Sequence, residues 1–131
     1  MNDFSGMDAL YRDFILDHYR NPRNAGTLEQ PDASFEGLNP LCGDKIRMDL
    51  RIRDGVVEDV KFKGRGCAIS QASASLLTES IKGKRIDEID TIGNEDVLEN
   101  LGISISAARL KCALLGLKVL KQALALKYSD D

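Results

Sequence analysis

Four residues of this 131-residue chain have types that could do chemistry together: Cys42, Asp44, Cys67 and Cys112. Three thiolates and one carboxylate make four anionic ligands, the number that tetrahedral zinc or a small iron–sulfur cluster needs. Thiolates are soft and grip such metals, whereas a carboxylate oxygen is harder and a weaker match. A permanent electron carrier is expected to use four cysteines. A site with one oxygen ligand can open at that position, which suits either a cluster built here and handed on or a zinc ion with an exchangeable ligand. The cysteine spacings, 25 and 45 residues, match no compact zinc motif. Spacing alone therefore leaves buried structural thiols open as an alternative. Taken singly, Cys112 is an ordinary core residue of an amphipathic helix, and Asp44 an ordinary turn residue.

What favours a shared site is placement. Cys42-Gly43-Asp44 sits in a turn before a strand, Cys67 between a strand and a helix, and Cys112 in the second turn of the last helix. Loops at one end of a fold can converge and carry sites. Gly43 lets the backbone turn so that Cys42 and Asp44 face one centre, and a helix start after Cys67 favours its thiolate. Lys45, Arg65 and Lys111 are sequence neighbours whose charges could offset the negative ligands.

The elements that must position these residues read clearly. Met7 to Tyr19 reads as a helix whose apolar face includes Phe14, Ile15 and His18. The only histidine, His18, is expected to be a satisfied packing residue rather than a ligand. Asn21-Pro22 stops that helix. Lys45 to Arg53 alternates apolar Ile46, Met48, Leu50 and Ile52 with charged residues, a strand with one solvated face. Asp54-Gly55 predicts a tight hairpin, and Val56 to Lys63 returns with Val56, Val60 and Phe62 buried. The segment around Phe35 is a candidate third strand, and Gly64-Arg65-Gly66 is expected to end the sheet. Ser70 to Lys82 reads as a helix with Ile69, Ala72, Ser73, Leu76, Leu77 and Ser80 on its packed side. Asn94 can cap a short helix ending at Gly102, and Ser106 a last helix from Ala107 to about Lys127. In that last helix Leu110, Leu114, Leu117, Leu120 and Leu124 form the apolar stripe. The fold class is thus α+β, strands early and helices late.

Composition bounds the function. Lys and Arg total 18 against 21 Asp and Glu, a formal net charge of −3. General nucleic-acid binding, which needs a basic footprint, is not expected. No membrane span is expected either, nor a disulfide framework from three cysteines. The chain is expected to form one domain over residues 1–131, with residues 1–6 as a flexible lead, and to be cytoplasmic.

Three segments resemble a known family. Cys42-Gly43-Asp44, Gly64-Arg65-Gly66-Cys67-Ala68-Ile69-Ser70 and Arg109-Leu110-Lys111-Cys112 are similar to the ligand motifs of the U-type iron–sulfur cluster assembly proteins: SufU, IscU and the amino-terminal domain of NifU. Asp17-His18-Tyr19 with Asn21-Pro22-Arg23-Asn24 and Gly26, and Ala72-Ser73-Ala74-Ser75 ahead of Thr78-Glu79, also fit. The resemblance runs from about Leu10 to Ala125. It implies a three-stranded antiparallel sheet with helices packed on it and a site at one end, made by Cys42, Asp44, Cys67 and Cys112. It implies sulfur received as persulfide from a cysteine desulfurase. The outcome is either assembly of a transient two-iron, two-sulfur cluster for apo-proteins, or zinc-dependent sulfur relay.

The match is mixed. Lys111, where IscU proteins usually carry His, and Asn39-Pro40 look SufU-like. The short interval from Cys67 to Cys112 looks IscU-like. Cys42 is the persulfide acceptor if the SufU comparison governs, Cys112 if the IscU one does. Lys111 is an auxiliary candidate, pairing with Asp44 when metal is absent. Ile105-Ser106-Ala107-Ala108-Arg109 stands where IscU offers Leu-Pro-Pro-Val-Lys to its heat-shock chaperone, so that partner is not expected.

Overall fold

The structure, a computed structural model, describes residues 7–40 and 43–128, with the side chains of residues 7–11 outside that description. The chain runs α1 (Met7–Arg20), β1 (Ala33–Asn39), β2 (Asp44–Arg53), β3 (Val56–Arg65), α2 (Ala68–Ile81), α3 (Ile86–Asp90), α4 (Asn94–Leu101) and α5 (Ala107–Tyr128). The three strands form an antiparallel sheet in the order β1-β2-β3, and the segment around Phe35 is indeed the third strand.

Alternation in β2 does what its pattern demands. Ile46, Met48 and Leu50 are fully buried beneath α2 and α5, with Leu77, Ile81, Leu115, Val119 and Leu120 in the same core. Non-polar burial of this kind is the main stabilising term. α2 and α5 lie against each other, and Gly116 permits it: a β-carbon there would stand 3.3 Å from the Ala74 backbone. α1 packs on α2, and α4 on both α2 and α5.

Several expectations are corrected. In β3 it is Val57, with Val60 and Phe62, that is buried, while Val56 is half-buried. A register shift between Arg51 and Ile52 pairs Ile52 with Val57. The bulge inserts one residue and so breaks strict alternation. Both Asp54 and Gly55 have positive φ, 54° and 76°, as a type I′ hairpin requires. Gly64 and Arg65 do not end the sheet but continue it, paired with Ile46 and Lys45. α2 is buried almost all round, including Ser70, Gln71, Ser75 and Thr78, because α1, α5 and the sheet enclose it. Asn94 is the first residue of α4 rather than its cap; Gly93 takes the cap position and donates its N–H to Asp96. The packed stripe of α5 is wider than its leucines, since Cys112, Ala113, Leu115 and Val119 are buried while Leu110 and Leu114 are half-buried.

The outer sheet face is not wholly solvated. Asp49, expected there among exposed charges, is 1% exposed. Residues 26–32 cross over it, from the β3 edge, where Gly26 N–H donates to Phe62, to the β1 edge, where Asp32 N–H donates to Leu50. Burial opposes ionisation of Asp49. Hydrogen bonds from Arg47, Ser34 and the Leu28 N–H, with the Arg47 charge, outweigh it and hold the carboxyl below its usual range.

His18 is a packing residue as expected, 1% exposed, with Nδ1 2.7 Å from Ser75 Oγ and its ring edge-on to Phe14. Burial first, then the Arg23 charge, push its pKa down against the pull of Glu79 and Asp17. A histidine whose folded pKa is lowered favours the neutral form. Its contribution is complete above the unfolded value, about 6.5, and is lost as pH falls through the folded value. The melting temperature is therefore expected to drop from pH 7 toward pH 5. His18→Gln should flatten that part of the pH profile; an unchanged slope in the variant would assign the loss to other groups.

Candidate metal centre

Asp44 opens β2 and Asn39 closes β1, and the two face each other in register. Gly43 N–H donates to the Asn39 carbonyl at 2.8 Å. Cys42 lies outside the described residues. Cys67 occupies the cap position of α2. Cys112, in the second turn of α5, is 1% exposed and sits beneath β1, where Asn39 Nδ2 approaches its Sγ at 3.8 Å.

These placements bring three of the four sequence-selected residues together. A carboxylate oxygen of Asp44, Sγ of Cys67 and Sγ of Cys112 all lie within 4.8 Å of one another. Asp44 is fully buried. Its Oδ1 accepts the Cys67 N–H at 2.9 Å, and its Oδ2 accepts the Cys67 thiol at 3.9 Å. An acidic group beside the start of α2 is also favoured by the helix dipole. Cys67 is half-buried and its neighbour Gly66 exposed, so the centre opens to solvent on that side.

The donor set fits a soft or borderline metal. Zinc bonds of about 2.0–2.3 Å place tetrahedral ligand atoms about 3.3–3.8 Å apart, so the trio is within roughly 1 Å of closing on one ion. Asp44, Cys67 and Cys112 could hold a metal.

Two glycines make the arrangement possible. A β-carbon on Gly66, whose φ is +141°, would fall on the Asp44 carboxylate. One on Gly64 would collide with the Lys45 carbonyl and crowd Gln71. The Gly64-Arg65-Gly66 run thus reserves the space in which Asp44 meets Cys67, a role that sequence reading missed in favour of a strand stop. Asn39, against the Cys112 sulfur, was also missed as a site residue; its only signal was its position before the first cysteine motif.

The auxiliary expectation for Lys111 fails in its detail. Lys111 is exposed and lines a groove along α5, and among the described residues it forms no ion pair with Asp44. Asp44 points inward to the Cys67 amide instead. Lys45, expected to balance the site, is paired with Glu36 at 3.6 Å.

A three-stranded antiparallel sheet backed by helices, with thiols and a carboxylate gathered at one end, defines a small α+β protein with a candidate soft-metal centre. The chain belongs to the family described as the NifU-like N terminal domain, which matches residues 10–130. It is 40% identical to the zinc-dependent sulfurtransferase SufU of Bacillus subtilis (strain 168), over 92% of this chain and 93% of that one. It is 37% identical to the iron-sulfur cluster assembly scaffold protein IscU of Escherichia coli (strain K12), over 88% and 91%. The Bacillus match spans 138 positions, more than the chain has residues, so that protein carries residues this chain lacks. Among solved structures, a NifU-like N-terminal protein from Brucella abortus shares the fold with a TM-score of 0.80 at 24% identity, covering 97% of this chain and 100% of that one. No helix among the described residues is long and apolar enough to cross a membrane.

Proposed function

We propose that this chain is a scaffold on which an iron–sulfur cluster is assembled and from which it passes to apo-proteins. The observation that carries this reading is the convergence of Asp44, Cys67 and Cys112 at the end of the sheet where Asn39 pairs with Asp44. Cys42, Cys67 and Cys112 hold the iron of the cargo, a two-iron, two-sulfur cluster, and Asp44 is the weak oxygen ligand whose release aids transfer. Sulfur arrives from a cysteine desulfurase. A thiolate attacks the outer sulfur of the desulfurase persulfide, forming a new persulfide and releasing the desulfurase thiolate. Burial bears on which cysteine receives it. Cys112 is 1% exposed and beyond reach of a donor without motion, whereas Pro40 and Gly43, on either side of the loop, are exposed. Access therefore weighs against Cys112 as the first acceptor, and on this reading Cys42 takes that role.

A second reading has a specific support, the 40% identity to a zinc-dependent sulfurtransferase. On it, the same four residues hold zinc, and Cys42 takes persulfide and passes it on. The extra residues of the Bacillus protein weigh against carrying that mechanism over whole.

Anaerobic incubation with iron and a cysteine desulfurase separates the two. The scaffold reading expects visible absorption from a bound cluster that then appears in an apo-ferredoxin. Tight zinc, stimulated desulfurase turnover and no cluster would overturn it in favour of the relay.

A further inference from the structure

A groove of about 770 Å³ runs along α5 beside the candidate centre. Leu38, Ile92 and Leu114 give it apolar walls, and Lys111, Lys118 and Lys121 line it as well. The three lysines fall on one side of the helix and extend over about 15 Å at 1.5 Å per residue. No carboxylate lines the groove, and among the described residues none of the three forms an ion pair; Lys121 donates only to the Asp90 carbonyl. In a chain of net charge −3, this is a local reversal of sign set against apolar surface. Leu38, 57% exposed, stands at its edge.

We propose that this groove docks an acidic segment of a partner protein, with carboxylates along Lys111, Lys118 and Lys121 and one or two large apolar side chains against Leu38, Ile92 and Leu114. Both features are needed to specify the occupant. A nucleic acid would use the cations and leave the apolar walls without a partner, and a concave groove does not fit a flat lipid surface. Charge complementarity would speed encounter and fix register, while the apolar contacts supply the holding energy. The groove also contains Asn39, whose amide meets the Cys112 sulfur, so a partner seated here stands beside the thiols. The docking is read from the groove alone and stands whatever the centre carries.

The test uses the full chain and a fluorescein-labelled synthetic peptide, about ten residues long and thus ~15 Å as a helix, with Glu along one face at three- and four-residue spacing and Leu and Phe beside them. Anisotropy is expected to show saturable binding that weakens at least tenfold in Lys118→Glu and in Leu38→Ser. Both side chains are exposed, and matching melting curves would show that the variants fold. Polyglutamate of equal length is expected to bind at least tenfold more weakly. Amide shifts in NMR spectra should concentrate at residues 92–94 and 111–121. The proposal is overturned by no saturable binding, by unchanged binding in both variants, or by polyglutamate binding equally. It is also overturned if anionic vesicles or an oligonucleotide displace the peptide at comparable concentration, or if the shifts lie elsewhere.

Discussion

Replacing Gly66 with alanine is expected to cost about 2–4 kcal/mol of stability and to weaken the affinity of the centre for a metal, probed with zinc, by about ten- to a hundredfold. The added β-carbon would stand 2.8 Å from Asp44 Cγ and 2.9 Å from Asp44 Cα, inside van der Waals contact with both. The backbone at φ +141° also disfavours any L side chain. The buried carboxylate cannot move outward, because β2 pairs on both sides at its start, with Asn39 and, one residue on, with Arg65. It must swing toward the sulfurs or pull β2 from β3, and either course breaks its bond to the Cys67 N–H. Chemical denaturation measures the first effect and competition with a chromophoric chelator the second. Adding Asp44→Ala to the variant removes the carboxylate half of the collision but not the backbone half. The double variant should therefore recover part of the lost stability, a non-additivity that residues in direct contact show. Native stability and zinc affinity in Gly66→Ala would mean that the carboxylate is not confined as argued.

The contrast between Gly66 and Cys112 illustrates what the sequence could reveal. The types and order of the candidate ligands were legible, because few residue types bind soft metals and each stood at an element end. The sheet's alternation and the hairpin at Asp54-Gly55 were equally plain. Less legible were features set by contacts between distant segments. The bulge that buries Val57 in place of Val56 leaves no mark in a local pattern. Asp49 looked like any exposed strand charge until the 26–32 crossover covered it and its hydrogen bonds replaced water. Lys111 was paired with Asp44 because it takes the place of the IscU histidine before the third cysteine, yet a helix residue next to a buried one points about 100° away from it. The reserved space at Gly66 could be recognised only once Asp44 was seen to fill it.

Asp44→Ala is expected to lengthen the lifetime of a bound cluster about tenfold and to slow its transfer to an apo-ferredoxin by a similar factor. The fully buried carboxylate has one oxygen committed to the Cys67 amide and the other beside the Cys67 thiol. An oxygen ligand drawn from that position competes with its own hydrogen bond. The bond re-forms when the ligand is released, so departure is assisted and holding is weak. Removing the side chain leaves the thiolates as the holding set and takes away the group that lets go. The fold should lose only the hydrogen bond, about 1–2 kcal/mol for one with a charged acceptor, since the pairing of Asn39 with residue 44 is made by backbone. Asp44→Asn separates ligand from framework, because its amide oxygen still accepts the Cys67 N–H while the charge is gone. If it behaves like alanine in lifetime and transfer but like the parent in stability, the effect belongs to metal release. Unchanged lifetime and transfer in both variants would remove Asp44 from the release step, and a shortened lifetime would make it a holding ligand instead.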